Sequence, residues 1–378
     1  MNRSNILVVE DHPASLKMLS KMLGKNYAVI QASSGQEAIA KAQEQMPDLV
    51  LLDIEMPGMD GFQTFDILKR EVIAQAVPVI FLTAREDSQS REKGLEAGAV
   101  DYITKPYDSQ ELAIKVKNHL ALYEARKEIE ARNRIMAREM EMASQLQNSL
   151  LPHEFPANVR VNFSVVYRPV TETGGDFYEV IELPDSKIGF AVVDVSGHGV
   201  SAAMIGAMFK MAFQSFAKVT HSPAKLLAIL NDALYRVLPD SDFLTVFYGI
   251  INTESLELTF TNAGHPRPFL YRSLSRQIEE LKEGGALLGA FPGMEYEEGV
   301  LKLTHGDRIL VFTDGVTEAS RLSAEEDFYG EDRLNRTFVD SCSLPDSEVL
   351  PLILDDLEQF REGATFDDDI TMILASVD

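Results

Sequence analysis

Two rhythms of apolar positions divide this chain. Over residues 1–120, short apolar runs at Ile6–Glu10, Tyr27–Ala32, Leu49–Ile54, Pro78–Ala84 and Asp101–Lys105 read as strands. Amphipathic stretches at Ser15–Leu23, Gly35–Gln45 and Asp108–His119 read as helices, the last opening on an Asp cap. Runs that stay apolar at nearly every position, as at Leu49–Ile54 and Pro78–Ala84, are expected of strands buried on both faces. Five such strand–helix units over residues 1–121 predict an α/β domain with a five-stranded, doubly wound parallel sheet. Its ligand site is then expected at the carboxyl ends of the strands.

Residues 122–152 form a different pattern, helix-forming and free of Gly and Pro until Pro152 stops the run. Leu122, Ile129, Met136, Ala143 and Leu150 recur every seventh residue, while the companion column Ala125, Arg132, Glu139 and Leu146 is only half apolar. The segment is expected to be a helical linker, open either to pairing as a parallel homodimer along 122–151 or to packing on its own domains. Residues 153–378 group their strands instead of alternating them. Val159–Tyr167, Ile188–Val195, Phe243–Ile251, Leu256–Thr261, Arg308–Thr313 and Ile370–Ala375 are β-rich, and Val200–Val219, Pro223–Leu238, Glu331–Asp340 and Asp346–Arg361 read as helices. This pattern predicts an α+β domain, a β-sandwich flanked by helices.

Composition narrows the function. A single cysteine, Cys342, excludes a disulfide framework or a thiolate zinc site within one chain. The net charge of −24 is concentrated in residues 153–378, with 17 basic against 37 acidic groups, and this argues against a nucleic-acid partner. Met1-Asn-Arg-Ser leads straight into a strand without a signal pattern, and Ala202–Ala217 is interrupted by Lys210 and Gln214 and shorter than the ~20 residues of a membrane span. A cytoplasmic location without membrane partners is expected.

The candidate chemistry lies where strands end. Aspartate fits strands poorly, yet Glu10-Asp11 and Asp53 close two apolar runs of the first domain. In the last domain Asp176, Asp194, Asp314 and Asp368 sit in Gly-Gly-Asp-Phe-Tyr, Asp-Val-Ser-Gly-His-Gly, Thr-Asp-Gly and Asp-Asp-Asp-Ile-Thr contexts. Carboxylates on rigid strand ends suit hard divalent cations. In the first domain, Asp53 is a candidate nucleophile toward a phosphoryl group. Glu10, Asp11 and the backbone carbonyl of Glu55 are candidate ligands for one Mg²⁺ together with Asp53. Lys105 offers a point charge and Thr83 a hydroxyl donor to phosphate oxygens, and Pro106 can fix the Lys105 loop through a cis bond.

These residues resemble the receiver domain of two-component response regulators. The resemblance rests on Val-Val-Glu-Asp at 8–11, Leu-Leu-Asp-Ile-Glu-Met-Pro-Gly-Met-Asp-Gly at 51–61, Phe-Leu-Thr-Ala at 81–84 and Asp-Tyr-Ile-Thr-Lys-Pro at 101–106. It implies phosphorylation of Asp53 by a cognate histidine kinase, after which Thr83 moves inward and Tyr102 rotates, reshaping the surface of the last two helices and the fifth strand. The C-terminal motifs, with Asn-Ala-Gly-His-Pro at 262–266, resemble the PPM-type metal-dependent serine/threonine protein phosphatases, in the bacterial branch that controls sporulation and stress regulators.

By that second resemblance, Asp194 would bridge two Mn²⁺ or Mg²⁺ ions with the Val195 carbonyl as a further ligand. Asp314 and Asp368 would complete one ion, Asp176 would hold the other through water, and Asp369 is the neighbouring alternative to Asp368. The ions would generate a hydroxide nucleophile. Animal-type members place a candidate general acid two residues after the bridging aspartate, where this chain has Ser196; His198 is the nearby alternative. Their phosphate-contacting arginine has no clear match beyond Arg168. The resemblances together imply a response regulator with a protein-phosphatase output, its substrate a phosphoserine or phosphothreonine on an anti-sigma-factor antagonist. A non-catalytic, phosphatase-like binding module is the alternative, and retention of all four carboxylates argues against it.

Overall fold

The structure, a computed structural model, describes residues 3–73, 77–84, 98–152, 154–197, 199–239 and 241–378, without the side chains of residues 325 and 326. The chain divides into two compact units, Met1–Met136 and Ala137–Asp378.

In the N-terminal unit, β1 (Asn5–Val9), β2 (Ala28–Ala32), β3 (Leu49–Asp53), β4 (Val79–Ala84) and β5 (Asp101–Lys105) all pair in parallel, in the order β2-β1-β3-β4-β5. Alternation along the strands sends Leu7, Val9, Val50, Leu52 and Phe81 into one core and Ile6, Val8, Leu49, Leu51 and Leu82 into the other. Both faces are therefore apolar, which is why the strands read as continuous runs. Helices α1 (Pro13–Leu23), α2 (Gly35–Gln45) and α3 (Gly61–Ile67) start on local signals: proline in the first turn of α1, Ser34 accepting from Glu37 N, and a capping box between Asp60 and Gln63. The crossover expected between β4 and β5 falls largely on residues 85–97, outside the described residues. Strand order reverses between β1 and β3, and the crevice there lies beside Asp11 and Asp53.

Helix α4 (Ser109–Leu150) opens on Asp108, whose side chain accepts from Gln110 N and Glu111 N, and runs without a break through the segment read as a separate linker. The boundary between compact units falls inside it, at Met136/Ala137. The heptad column splits there as well. Leu122, Ile129 and Met136 are exposed, whereas Ala143 and Leu150 are half-buried, Leu150 against the C-terminal core. A straight helix turns a strict seven-residue column by ~20° per heptad, so a column legible in sequence need not stay on one face.

The C-terminal unit is a sandwich of two mainly antiparallel sheets. Its elements are β6 (Val161–Arg168), β7 (Phe177–Leu183), β8 (Lys187–Val195), α5 (Val200–Ala217), α6 (Pro223–Tyr235), β9 (Leu244–Asn252), β10 (Glu257–Ala263), β11 (Phe269–Arg272), β12 (Gln277–Glu280), β13 (Gly284–Gly285), β14 (Gly299–Lys302), β15 (Arg308–Phe312), α7 (Asp314–Thr317), β16 (Ser320–Arg321), β17 (Ala324–Phe328), α8 (Gly330–Ser341), α9 (Asp346–Arg361) and β18 (Ile370–Val377). One sheet runs β13-β10-β9-β8-β7 with β14 on β10; the other runs β12-β11-β15-β18-β6. Ile309, Val311, Ile373 and Ala375 face the core shared with β8 and β9, while Leu310, Phe312, Met372 and Leu374 face α8 and α9. Helices α5 and α6 cover the first sheet. Helix α5 is long and apolar enough by composition to cross a membrane, but Ala202, Ile205, Phe209 and Phe213 bury one face of it in this core.

Candidate functional site

At the crevice of the N-terminal unit, ligand oxygens of Glu10, Asp11 and Asp53 lie within 4.8 Å of one another. Glu10 and Asp53 are buried and Asp11 is half-buried. The Lys105 ammonium, at the end of β5, sits 2.5 Å from Asp53 Oδ2 and 3.0 Å from Glu10 Oε2, and the Lys105–Pro106 bond that follows is cis. Burial, opposed by the hydrogen bond from Lys105 and reinforced by the Glu10 charge, pushes Asp53 up to about 6. Burial also works against the Lys105 charge, but its bonds to Asp53 and Glu10 outweigh this and raise it above the ordinary range. Three carboxylates against one ammonium leave room for a divalent cation, so this donor set fits Mg²⁺.

Around that cluster, Glu55 N donates to Asp53 Oδ1 at 3.3 Å, and the buried Thr83 hydroxyl donates to Ala84 O at 3.3 Å. Tyr107, which sequence reasoning passed over, donates its hydroxyl to Glu10 Oε2 at 2.6 Å and fixes that carboxylate. Tyr102 on β5 is tied to α4: Lys115 donates to Tyr102 O at 2.6 Å and to Asp101 at 2.8 Å, with its ammonium 4.8 Å from the Tyr102 ring centre.

In the C-terminal unit Asp176, Asp194, Asp314, Asp368 and Asp369 lie near enough to perturb one another's charge, although among the described residues only Glu10, Asp11 and Asp53 bring three such ligand oxygens within 4.8 Å of one another. Asp176 is 2% exposed, and its Oδ2 accepts from Thr371 Oγ1 at 2.5 Å and Thr313 Oγ1 at 2.8 Å. Burial and then the Asp194 charge hold the Asp176 carboxyl well above the carboxylate range, against the pull of those two hydroxyls. Asp194, at the end of β8, is pushed up to about 7 by burial and by the charges of Asp314, Asp368, Asp369 and Glu318. Asp314, at the start of α7, is raised by burial and by Glu318. Mutually repelling, partly buried carboxylates are the donor set that divalent cations hold together, and the residues fit such ions.

Asp368 and Asp369 separate by job. Asp369 is buried and spends both oxygens on backbone donors: Val170 N at 2.7 Å, and Gly175 N and Asp176 N at 2.6 and 3.3 Å. It staples the 170–176 loop. Asp368 is exposed and accepts from Asp369 N at 2.8 Å. The motif glycines follow from close approach: a Cβ on Gly315 would meet Asp369 O at 2.1 Å, and one on Gly174 would meet Asp369 Oδ2 at 2.5 Å. A Cβ on Gly175 would lie 3.0 Å from Val195 O, which places that carbonyl beside the same loop.

Other motif residues support the scaffold. Ser196, at the position of the animal-type candidate acid, accepts from Phe243 N at 2.9 Å and donates its own backbone N–H to Phe243 O. His198 lies outside the described residues. Arg168 is paired with Glu358 of α9 at 2.8 Å. In Asn-Ala-Gly-His-Pro, Asn262 closes a turn with the His265 backbone, and His265 Nδ1 lies 2.9 Å from Thr245 Oγ1, on the residue opposite Asp194 in the β8–β9 ladder. Sequence reasoning also missed Gln147 of α4, whose buried amide donates to Gly174 O at 2.7 Å and accepts from Gly174 N at 3.0 Å. Thr313 and Thr371 were within reach, since each belongs to a motif already singled out.

Residues 184–378 match the family model described as Stage II sporulation protein E (SpoIIE), and residues 6–117 match that of the response regulator receiver domain. The chain is 28% identical over 236 residues to phosphoserine phosphatase RsbU of Bacillus subtilis, covering 62% of this chain and 69% of RsbU. It is 27% identical over 333 residues to protein IcfG of Synechocystis, covering 79% of this chain but only half of IcfG. The solved SiaA-PP2C domain of Pseudomonas aeruginosa superimposes with a TM-score of 0.56 at 22% identity, covering 66% of this chain and 99% of that one, a likeness of fold.

Proposed function

Because the chain belongs to the stage II sporulation protein E (SpoIIE) family and carries a response-regulator receiver domain ahead of that region, we propose that it hydrolyses phosphoserine or phosphothreonine on a protein under control of phosphorylation at Asp53. A receiver joined to a PP2C-type, metal-dependent phosphatase domain is the architecture; the substrate and the control are this reading's own. The observation that carries it is the buried Asp176 carboxylate, clamped by Thr313 and Thr371 beside Asp194 and its repelling neighbours.

In the phosphatase domain Asp194, the Val195 carbonyl, Asp314 and Asp368 would hold Mn²⁺ or Mg²⁺, with Asp176 on the second of two ions. The backbone bonds that Asp369 accepts through both oxygens support reading Asp368 as the ligand of that pair. Such ions lower the pKa of a water and neutralise charge on a phosphoryl group. The chain's part is to aim the carboxylates: Thr313 and Thr371 orient Asp176, Asp369 fixes the loop that bears it, and Gln147 holds Gly174. Hydrolysis would join the water oxygen to phosphorus as the P–O bond to the seryl or threonyl oxygen breaks, with a proton from that water ending on the leaving oxygen.

In the receiver, Asp53 would take the phosphoryl group from a phosphohistidine of a cognate kinase, forming an acyl phosphate as the P–N bond breaks. Glu10, Asp11, Asp53 and the Glu55 carbonyl would hold one Mg²⁺, with Lys105 and Thr83 receiving phosphoryl oxygens. Helix α4 supports the link between the two activities, since it bonds the Tyr102 strand through Lys115 in one unit and the Gly174 loop through Gln147 in the other. Phosphorylation is read as raising turnover, with a homodimer forming over the exposed Leu122, Ile129 and Met136. RsbU is named a phosphoserine phosphatase. The matching substrate class here is a phosphorylated anti-sigma-factor antagonist, in the cytoplasm.

Hydrolysis of 4-nitrophenyl phosphate with and without Mn²⁺ tests the enzyme. Turnover is expected to require the metal and to fall by orders of magnitude in Asp194→Asn and Asp314→Asn. Near-wild-type turnover by either folded variant would sink the assignment.

A further inference from the structure

The strands β16 and β17 form a two-stranded hairpin that belongs to neither sheet of the sandwich. It leaves the chain shortly after Asp314 and folds back onto the segment that precedes Asp368. Leu322 N donates to Arg361 O at 3.2 Å, and Ser320 Oγ donates to Asp367 Oδ2 at 3.3 Å. Between hairpin and segment runs a groove of about 420 Å³ lined by Ser320, Arg321, Leu322, Phe328, Thr365 and Asp367.

Three features separate this groove from an ordinary surface crease. Leu322 is 68% exposed and Phe328 52% exposed, so two large apolar side chains stand in water within one groove of a net-acidic domain. Neither contributes to the core clusters, and a lone two-stranded hairpin is marginal without a surface to cover it. The polar wall is held in place, with the Arg321 guanidinium 4.5 Å from the Phe360 ring centre and its Nε 3.2 Å from Asp327. Finally, Asp367 lines the groove and Asp368 is its neighbour in the chain, one Cα step of about 3.8 Å away.

The groove therefore adjoins the carboxylate centre. An extended polypeptide advances about 3.3 Å per residue, so a residue a few positions from a phosphoserine at that centre reaches the hairpin. An apolar side chain would cover Leu322 and Phe328, with Ser320 and Thr365 offering hydroxyls to the peptide backbone.

Building on the phosphatase reading, we propose that the groove between the β16–β17 hairpin and residues 364–367 is a substrate subsite. It takes the polypeptide flanking the phosphorylated residue and seats an apolar side chain between Leu322 and Phe328. The occupant is the substrate protein itself, because the groove is continuous in chain with Asp368 and leads to the place where the phosphoryl group must sit.

The test uses the full chain with Mn²⁺ and two kinds of substrate: 4-nitrophenyl phosphate, which has no flanking residues, and phosphoserine peptides carrying leucine or serine at each position within four residues of the phosphoserine. The wild-type chain is expected to favour one leucine position by roughly tenfold in kcat/KM, on the scale of a half-buried apolar side chain. Leu322→Ser and Phe328→Ser are expected to erase that preference through KM. Both variants should hydrolyse 4-nitrophenyl phosphate within about twofold of wild type, on that same scale of flanking contacts alone. Leu322→Ser decides the matter if Phe328→Ser unfolds, because so exposed a leucine contributes little to folding. Equal effects on both substrates, or peptide turnover indifferent to flanking leucine, would overturn the subsite and leave the phosphatase standing. Failure of the wild-type chain to hydrolyse either substrate would overturn both.

Discussion

Replacing Thr371 by valine removes one hydroxyl and keeps the β-branched shape of a fully buried strand residue. That hydroxyl donates to Asp176 Oδ2 at 2.5 Å, the shorter of the two bonds that the carboxylate accepts from threonines. A hydrogen bond to a charged group contributes about 1.5–3 kcal/mol, and its loss falls on the ionised form of Asp176, the form that binds a cation. At about 1.4 kcal/mol per factor of ten, the half-saturating Mn²⁺ concentration should rise by roughly 10–150-fold, while turnover at saturating Mn²⁺ changes far less. Hydrolysis of 4-nitrophenyl phosphate across a Mn²⁺ titration reads both quantities. Thr313→Val should act in the same direction, complicated by the bond that its hydroxyl accepts from Thr371 N at 3.1 Å. If Thr371→Val shifts the half-saturation point by less than about twofold, or lowers turnover equally at every Mn²⁺ concentration, the threonine clamp does not prepare Asp176 for metal.

Gln147→Ala strands a buried N–H and C=O of Gly174, a cost of about 1–3 kcal/mol each; thermal unfolding of the C-terminal unit should shift down by several degrees, and an unchanged midpoint would show that water replaces both bonds. Burial pushes His265 down to about 3, so below the unfolded value of about 6.5 the unfolded chain takes a proton that the folded chain refuses, and stability falls with pH through that window. At pH 5 this amounts to about 2 kcal/mol; urea midpoints at pH 7 and pH 5 should diverge less in His265→Gln, and identical pH slopes would contradict the burial argument. Inserting two residues after Ala137 rotates the rest of α4 by about 200°; hydrolysis should persist while its response to a phosphodonor is lost, and a full response would favour direct domain contact over a helical relay.

How much of this was legible depended on what kind of residue carried the information. Strand-end aspartates stood out because carboxylates are out of place beside Val8, Leu52 or Val193, and Glu10, Asp11 and Asp53 do bring their ligand oxygens within 4.8 Å of one another. The doubly buried strands of the parallel sheet were equally plain, since both faces are apolar. Thr313 and Thr371 lay inside motifs already singled out, but their suitability for strands hid their hydroxyls as partners of a carboxylate 137 and 195 residues away. Gln147 reads as an ordinary polar residue on an exposed helix until the fold buries it against Gly174. Strand β7 is interrupted by Glu179 and Glu182, β11–β14 are only two to four residues long, and β16–β17 has no core to face, so periodicity passed over them. The heptad column divides between the two units. Leu150 packs on the C-terminal core and Ala143 is half-buried, while Leu122, Ile129 and Met136 are exposed.

Control of hydrolysis by Asp53 is tested most directly by measuring Mn²⁺-dependent turnover of a phosphoserine protein before and after treatment with acetyl phosphate, in the wild-type chain and in Asp53→Asn. A coupling of about 1–3 kcal/mol between the two sites should raise wild-type turnover roughly 5–150-fold and leave Asp53→Asn unresponsive. Turnover that is unchanged by phosphodonor in a wild-type chain shown to be phosphorylated, or equally raised in Asp53→Asn, would contradict a receiver-controlled phosphatase.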